Sequence, residues 1–231
     1  CQMLFNEMAT AEVKRAVLVQ PSFLGTDNSY LLAKLAAHPE HLKGVVVVEP
    51  DIKPEFFADM VRRGVTGVRL NIIGSSITAR ELCEKYGRLM ELLKEHNCHL
   101  EIQTSGDHWS QLLPHLTNKD VDIVVDHFGR PDSVDCTGFK AIVEHMSTGR
   151  VWVKLSGWYR FKADPAELAR ILLATESQRL VWGSDYPWTQ HADGKTYQEC
   201  RDLLKQWTNG RYLNDILVDN PKKLFKFDNQ F

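Results

Sequence analysis

The sequence predicts an α/β fold, a (β/α)8 barrel, and three observations carry that expectation. Short β-branched runs alternate with amphipathic stretches along the chain, which is the rhythm of βα units around a parallel sheet. Each run is almost wholly apolar, as strands covered on both faces are. Gln20-Pro-Ser-Phe-Leu-Gly25, after the first run, has no G-x-G-x-x-G pattern, which weighs against the competing open doubly wound sheet.

The elements follow in order. A helical stretch over residues 3–14 leads into a first strand at 16–20. Further strands are expected at 44–48, 67–70, 99–103, 123–126, 151–155 and 180–183. Thr78-Ala-Arg-Glu81 is a capping box, Asp164-Pro165 an N-cap followed by an N1 proline, and Asn220-Pro221 repeats that device. Helical patterns at 196–208 and 212–218 supply a last barrel helix and a C-terminal extension. No Gly/Ser/Pro-rich linker interrupts the alternation, so one domain over 1–231 is expected. Seven strands are visible where a closed barrel needs eight, and the expectation is a barrel lacking its first βα unit in this chain.

Composition narrows the partner. Lys plus Arg total 28 against 30 Asp plus Glu, a net charge of −2 that offers no footprint for nucleic acid or an anionic membrane. A small-molecule substrate is expected, with a homo-oligomer left open. The longest apolar runs fall far short of the roughly 20 residues of a membrane span. The opening residues carry Glu7 and no basic region ahead of an apolar stretch, so they do not read as a signal peptide. Five scattered cysteines with no C-x-x-C pair argue against a disulfide framework or a zinc cluster, and the default compartment is a reducing cytoplasm.

Barrels carry their chemistry at the C-terminal strand ends, and here those ends are polar. Asp126-His127-Phe-Gly-Arg130 sets an imidazole directly after a strand, where it can bind metal, polarise a carbonyl or move a proton. The plainer role is a backbone hydrogen bond, but Asp126 and Arg130 beside it favour function. Gly183-Ser184-Asp185 ends another strand in a carboxylate; a turn or cap before Pro187 is the alternative use of Asp185. Gly183 beneath it is expected to leave room for a ligand. Lys154, Ser156 and Arg160 gather at a third strand end.

Asp126-His127-x-Gly129-Arg130-Pro131, Lys154-x-Ser156-Gly157 and Trp182-Gly183-Ser184-Asp185-Tyr186-Pro187 resemble successive strand ends of the amidohydrolase-2 family, a TIM (β/α)8 barrel family of the amidohydrolase superfamily. The likeness is greatest to its 2-pyrone-4,6-dicarboxylate and sugar-lactone lactonases. Gln20-Pro-Ser22 with Gly25-Thr-Asp-Asn28, and Gly64-Val-Thr-Gly67-Val-Arg69-Leu-Asn71, are similar to its second and fourth strand ends. The family's opening His-x-His is not in this sequence, in keeping with the strand count.

The resemblance implies a hydrolase that opens a lactone by attack of water. Asp185 is then the general base, and His127 polarises the carbonyl. Arg69, Arg130 and Arg160 become candidates for holding a substrate carboxylate. Ser22, Asn71 and Gln103 would orient ring oxygens. Gly74-Ser75-Ser76 replaces a second basic residue of the dicarboxylate branch, which points to a sugar lactone or a monocarboxylate lactone. Metal is expected to be absent or a single divalent ion, zinc if any, because His127 and Asp185 are only two of a ligand set. A metal-dependent amidohydrolase, a decarboxylase, and a ligand-binding pseudoenzyme are the alternatives.

Overall fold

A computed structural model describes residues 1–227. Seven strands, β1 (Ala16–Val19), β2 (Leu42–Val46), β3 (Val65–Asn71), β4 (His99–Gln103), β5 (Ile123–Val125), β6 (Val151–Leu155) and β7 (Leu180–Trp182), lie side by side in chain order. Every neighbouring pair is parallel. The sheet is a curled barrel wall with helices outside it. Among the described residues β1 and β7 are not paired with each other, so the wall is open along one seam. Helix α1 (Gln2–Thr10) bridges the seam, its Met8 joining an apolar cluster that includes Ala16 of β1 and Trp182 of β7.

The connecting helices are α2 (Ser29–Ala37), α3 (Pro54–Arg62), α4 (Ala79–Glu95), α5 (His108–Leu116), α6 (Thr137–Met146), α7 (Pro165–Glu176), α8 (Tyr197–Trp207) and the terminal α9 (Asn220–Phe225). Two of the expected caps form. Thr78 and Glu81 exchange the reciprocal bonds of a capping box at α4, and Asp164 accepts from the Ala166 amide ahead of Pro165 at α7. Thr196 caps α8 as well.

Among the departures from the expected elements, three have a visible structural cause. Helix α1 ends at Thr10 rather than at residue 14, and Glu12 in the left-handed region turns the chain toward β1. Strand β2 lies two residues earlier than 44–48. The Asn28 side chain takes both backbone groups of Val47, at 3.2 and 2.8 Å, in place of a neighbouring strand. Asn220 is no helix cap. A π-helical turn (Asp215–Asp219) runs directly into α9, and the buried Asn220 amide instead donates to the carbonyls of Ser177 and Leu180 at 2.9 and 2.8 Å. It ties the C-terminal extension to the start of β7. The expected domain end at residue 231 lies outside the described residues.

Register determines what lines the inside of the wall. Gly67, Arg69 and Asn71 pair with His99, Glu101 and Gln103, Glu101 pairs with Val124, Val124 with Trp152, and Lys154 with Val181. Side chains alternate along a strand, so these residues share one face. Its lower half is apolar: Val124, Trp152 and Val181 pack on Leu224, Phe225 and Phe227. His99 meets Phe225 edge-on at 5.5 Å. Gly67 gives it room, since a Cβ there would lie 2.4 Å from the ring. The outward residues of the same strands, among them Val68, Leu100, Ile102, Val125 and Val153, form the main core with the helices.

Candidate active site

Above the apolar layer the inner face becomes charged. Lys154 Nζ lies 2.6 Å from Glu101 Oε2 and 3.1 Å from Asp126 Oδ1. Arg69 lies 3.5 Å from Glu101 and 3.3 Å from Asp126. Two cations thus neutralise two carboxylates that are almost wholly buried, the condition for keeping such charges out of water. Burial alone would raise Asp126, but His127, Lys154 and Arg69 hold its carboxyl well below the ordinary range. Burial raises Glu101, and the attraction of Lys154 only partly offsets it. Lys154 keeps its proton more firmly than usual: burial opposes the charge, and Asp126 and Glu101 outweigh it.

Asp126 links this layer to His127. The chain after β5 turns back through left-handed backbone at His127, Phe128 and Arg130. This places His127 Nδ1 2.9 Å from Ser156 Oγ and Nε2 3.4 Å from Asp126 Oδ2. Gly157 makes the contact possible, because a Cβ there would fall 2.5 Å from Nδ1. Burial lowers the proton affinity of His127, against the pull of Asp126 and Asp185.

Asp185 follows β7 in the left-handed conformation, and its Oδ2 receives two short bonds. Tyr159 Oη donates at 2.6 Å and Arg160 Nε at 2.6 Å, both from the turn Trp158–Arg160 after β6. Arg160 also reaches the Thr189 carbonyl at 3.5 Å. Arg130 is half-buried, and burial together with the nearby Arg160 charge lowers its proton affinity, while Asp126 and Asp185 act the other way.

The predicted site residues fall into two groups. Ser22, Arg69, Asn71 and Gln103 meet at the ends of β1, β3 and β4. Asn71 Nδ2 donates to Ser22 Oγ at 2.8 Å, and Arg69 donates to Ser22 Oγ at 3.4 Å and to Gln103 Oε1. His127, Arg130, Arg160 and Asp185 meet at the ends of β5 to β7. Arg69 and Arg160 are engaged within the protein, the first by the buried carboxylates and the second by Asp185. The room expected beside Gly183 is taken by Lys154 and Ser156, whose side-chain carbons lie 3.2 and 3.3 Å from where a Cβ would be. Sequence reasoning gave no role to Tyr159, and it read Lys154 only as one of the polar residues gathered at a strand end, without its buried partner Glu101. The signal for Tyr159 was its place beside Arg160, on the strand end next to that of Asp185.

Among the described residues no group of three His, Cys, Asp or Glu side chains is arranged to hold a metal ion. His127 and Asp185 supply two donors, short of the three protein ligands of a catalytic zinc site. The residues described therefore do not form a metal site by themselves.

A parallel barrel wall with a carboxylate, an imidazole and guanidinium groups gathered past its C-terminal strand ends defines a (β/α)-barrel enzyme. The amidohydrolase family model (Amidohydro_2) matches residues 2–227, and the chain belongs to that family. It is similar to a 4-sulfomuconolactone hydrolase of Hydrogenophaga intermedia, 27% identical, over 94% of this chain and 76% of that protein. The crystal structure of a probable 2-pyrone-4,6-dicarboxylic acid hydrolase from Acinetobacter baumannii, with citric acid bound, superposes with a TM-score of 0.91. It is 30% identical over 98% of this chain and 88% of that one. The fold also matches a zinc-bound amidohydrolase from Burkholderia multivorans at TM-score 0.78 and 18% identity, over 98% and 88% of the two chains.

Proposed function

We propose that this protein is a hydrolase that opens a lactone, either a sugar lactone or one carrying a carboxylate, as a single domain over residues 1–231. The observation that carries this reading is the Asp185 carboxylate, oriented by two donors at the mouth beside His127 and Arg130. Asp185 takes a proton from water as the oxygen attacks the ring carbonyl. His127 stabilises the charge that develops on the carbonyl oxygen. The ring C–O bond then breaks, the proton passes from Asp185 to the departing alkoxide, and a hydroxy acid results. Ser22, Asn71 and Gln103 orient ring oxygens, and Arg130 holds an anionic substituent, with Arg69 and Arg160 supporting the site from within the protein.

The relatives support this class of substrate, since one is named for a sulfonated lactone and the other for a dicarboxylate. No step is assigned to a metal. The small-molecule substrate is the principal partner, and the cytoplasm is the proposed compartment. Among the described residues no helix is long and apolar enough to cross a membrane. The test is a panel of neutral and anionic lactones, with acid release followed by pH indicator before and after exhaustive chelation. Turnover that survives chelation and favours an anionic lactone is expected. Failure to open any member of the panel would overturn the reading.

A further inference from the structure

We propose that Tyr159 is a positioning residue: with Arg160 it holds Oδ2 of Asp185, leaving Oδ1 as the oxygen presented to the reacting water. The proposal rests on the reading of Asp185 as the base.

A carboxylate at the end of a short side chain turns easily, because its last torsion is broad rather than confined to sharp wells. Two charge-assisted bonds of 2.6 Å converging on one oxygen remove that freedom. Among the described residues Oδ1 has no protein hydrogen-bond partner. The division of labour between the two oxygens is therefore built into the turn after β6.

The clamp is itself held in place. Trp158 packs against the Tyr159 ring edge-on at 5.1 Å, and the His191 ring lies tilted at 5.0 Å. The Lys195 ammonium sits 4.6 Å from the ring centroid and the Arg160 guanidinium 5.1 Å. Burial and the Asp185 charge keep the phenol protonated, so it remains a donor. Gly157, left-handed at φ 58°, starts the turn that brings Tyr159 and Arg160 to Asp185. The loop after β7 thus encloses Tyr159 while the turn after β6 aims it, and neither contact requires Tyr159 to touch the substrate.

Tyr159→Phe keeps the ring and removes only the donor, so the carboxylate can swing about its one remaining contact. Misaligning a reacting group by an ångström costs up to about a hundredfold in rate. The expected result is a kcat lower by about 10- to 100-fold with KM within about twofold, and no further loss when the change is added to Asp185→Asn. Crystal structures of the wild type and Tyr159→Phe provide a measurement that needs no turnover, and Asp185 is expected to adopt a second carboxylate orientation in the variant. A wild-type kcat in Tyr159→Phe, or a carboxylate unmoved from its wild-type position, would overturn the proposal. If the wild type opens no lactone, the lactonase reading falls by itself and the pair of crystal structures still decides whether Tyr159 orients Asp185.

Discussion

Replacing Lys154 with Met would leave two buried carboxylates facing each other with Arg69 as their only cation. Lys154 is within 2.6 Å of Glu101 and 3.1 Å of Asp126, and those two side chains are 0% and 3% exposed. Met matches the length of the stem, so packing changes little while the charge disappears. Removing one partner of a buried ion pair typically costs about 3–5 kcal/mol. Against a total stability of about 5–15 kcal/mol this is a large fraction. At about 2–4 °C per kcal/mol for a chain of this size, the melting temperature should fall by about 6–20 °C. Lys154 has a raised proton affinity, so its stabilisation is fully present at neutral pH and would be lost only in strong alkali. Urea unfolding at pH 7 provides the assay, with Lys154→Met/Glu101→Gln as the compensating variant. Glu101 already leans toward the neutral form, so its amide should restore part of the loss. A decrease below about 1 kcal/mol in Lys154→Met would refute the claim that this network supports the inner wall.

Arg130→Met should raise KM for an anionic lactone by about 10- to 100-fold, the loss of one charge-assisted bond, while a neutral lactone is little affected. Equal effects on both would remove Arg130 from substrate binding. His99 should make the protein acid-sensitive: burial pushes its imidazole down to about 3, so the neutral ring must be exposed before it can take up a proton. The associated stability is complete above about pH 6.5 and declines as pH falls toward 3, by about 2 kcal/mol at pH 5. His99→Leu should flatten that slope in urea titrations at pH 7 and 5, and parallel curves for the two proteins would contradict it.

Much of the architecture was legible because both strand faces are covered, which makes each strand a near-continuous apolar run. Strands 99–103 and 151–155 were read to the residue. Strand 44–48 was misplaced because its pairing begins at Leu42 and Lys43 and stops where Asn28, sixteen residues earlier than Gly44, occupies the backbone of Val47. Such long-range side-chain bonds leave no local trace. The same reason explains Asn220, which looks like a cap before Pro221 and is instead a buried bridge to Ser177 and Leu180. In the candidate site, strand-end position singled out His127 and Asp185 as candidates, and the structure places them near each other past the strand ends. Strand-end position did not reveal that Arg69 and Arg160 point inward to carboxylates, since pairing across strands depends on register that sequence alone does not supply. Tyr159 was hidden for the same reason: its partner lies 26 residues away on the next strand end.

In the proposed reaction Asp185 accepts the proton of the attacking water, and Asp185→Asn is the direct test. Asn preserves the shape and can still cap a turn before Pro187, but it cannot take the proton. Steady-state hydrolysis of a lactone that the wild type opens should show kcat reduced by about 10² to 10⁴ with KM nearly unchanged. Turnover by Asp185→Asn near the wild-type rate would contradict the mechanism.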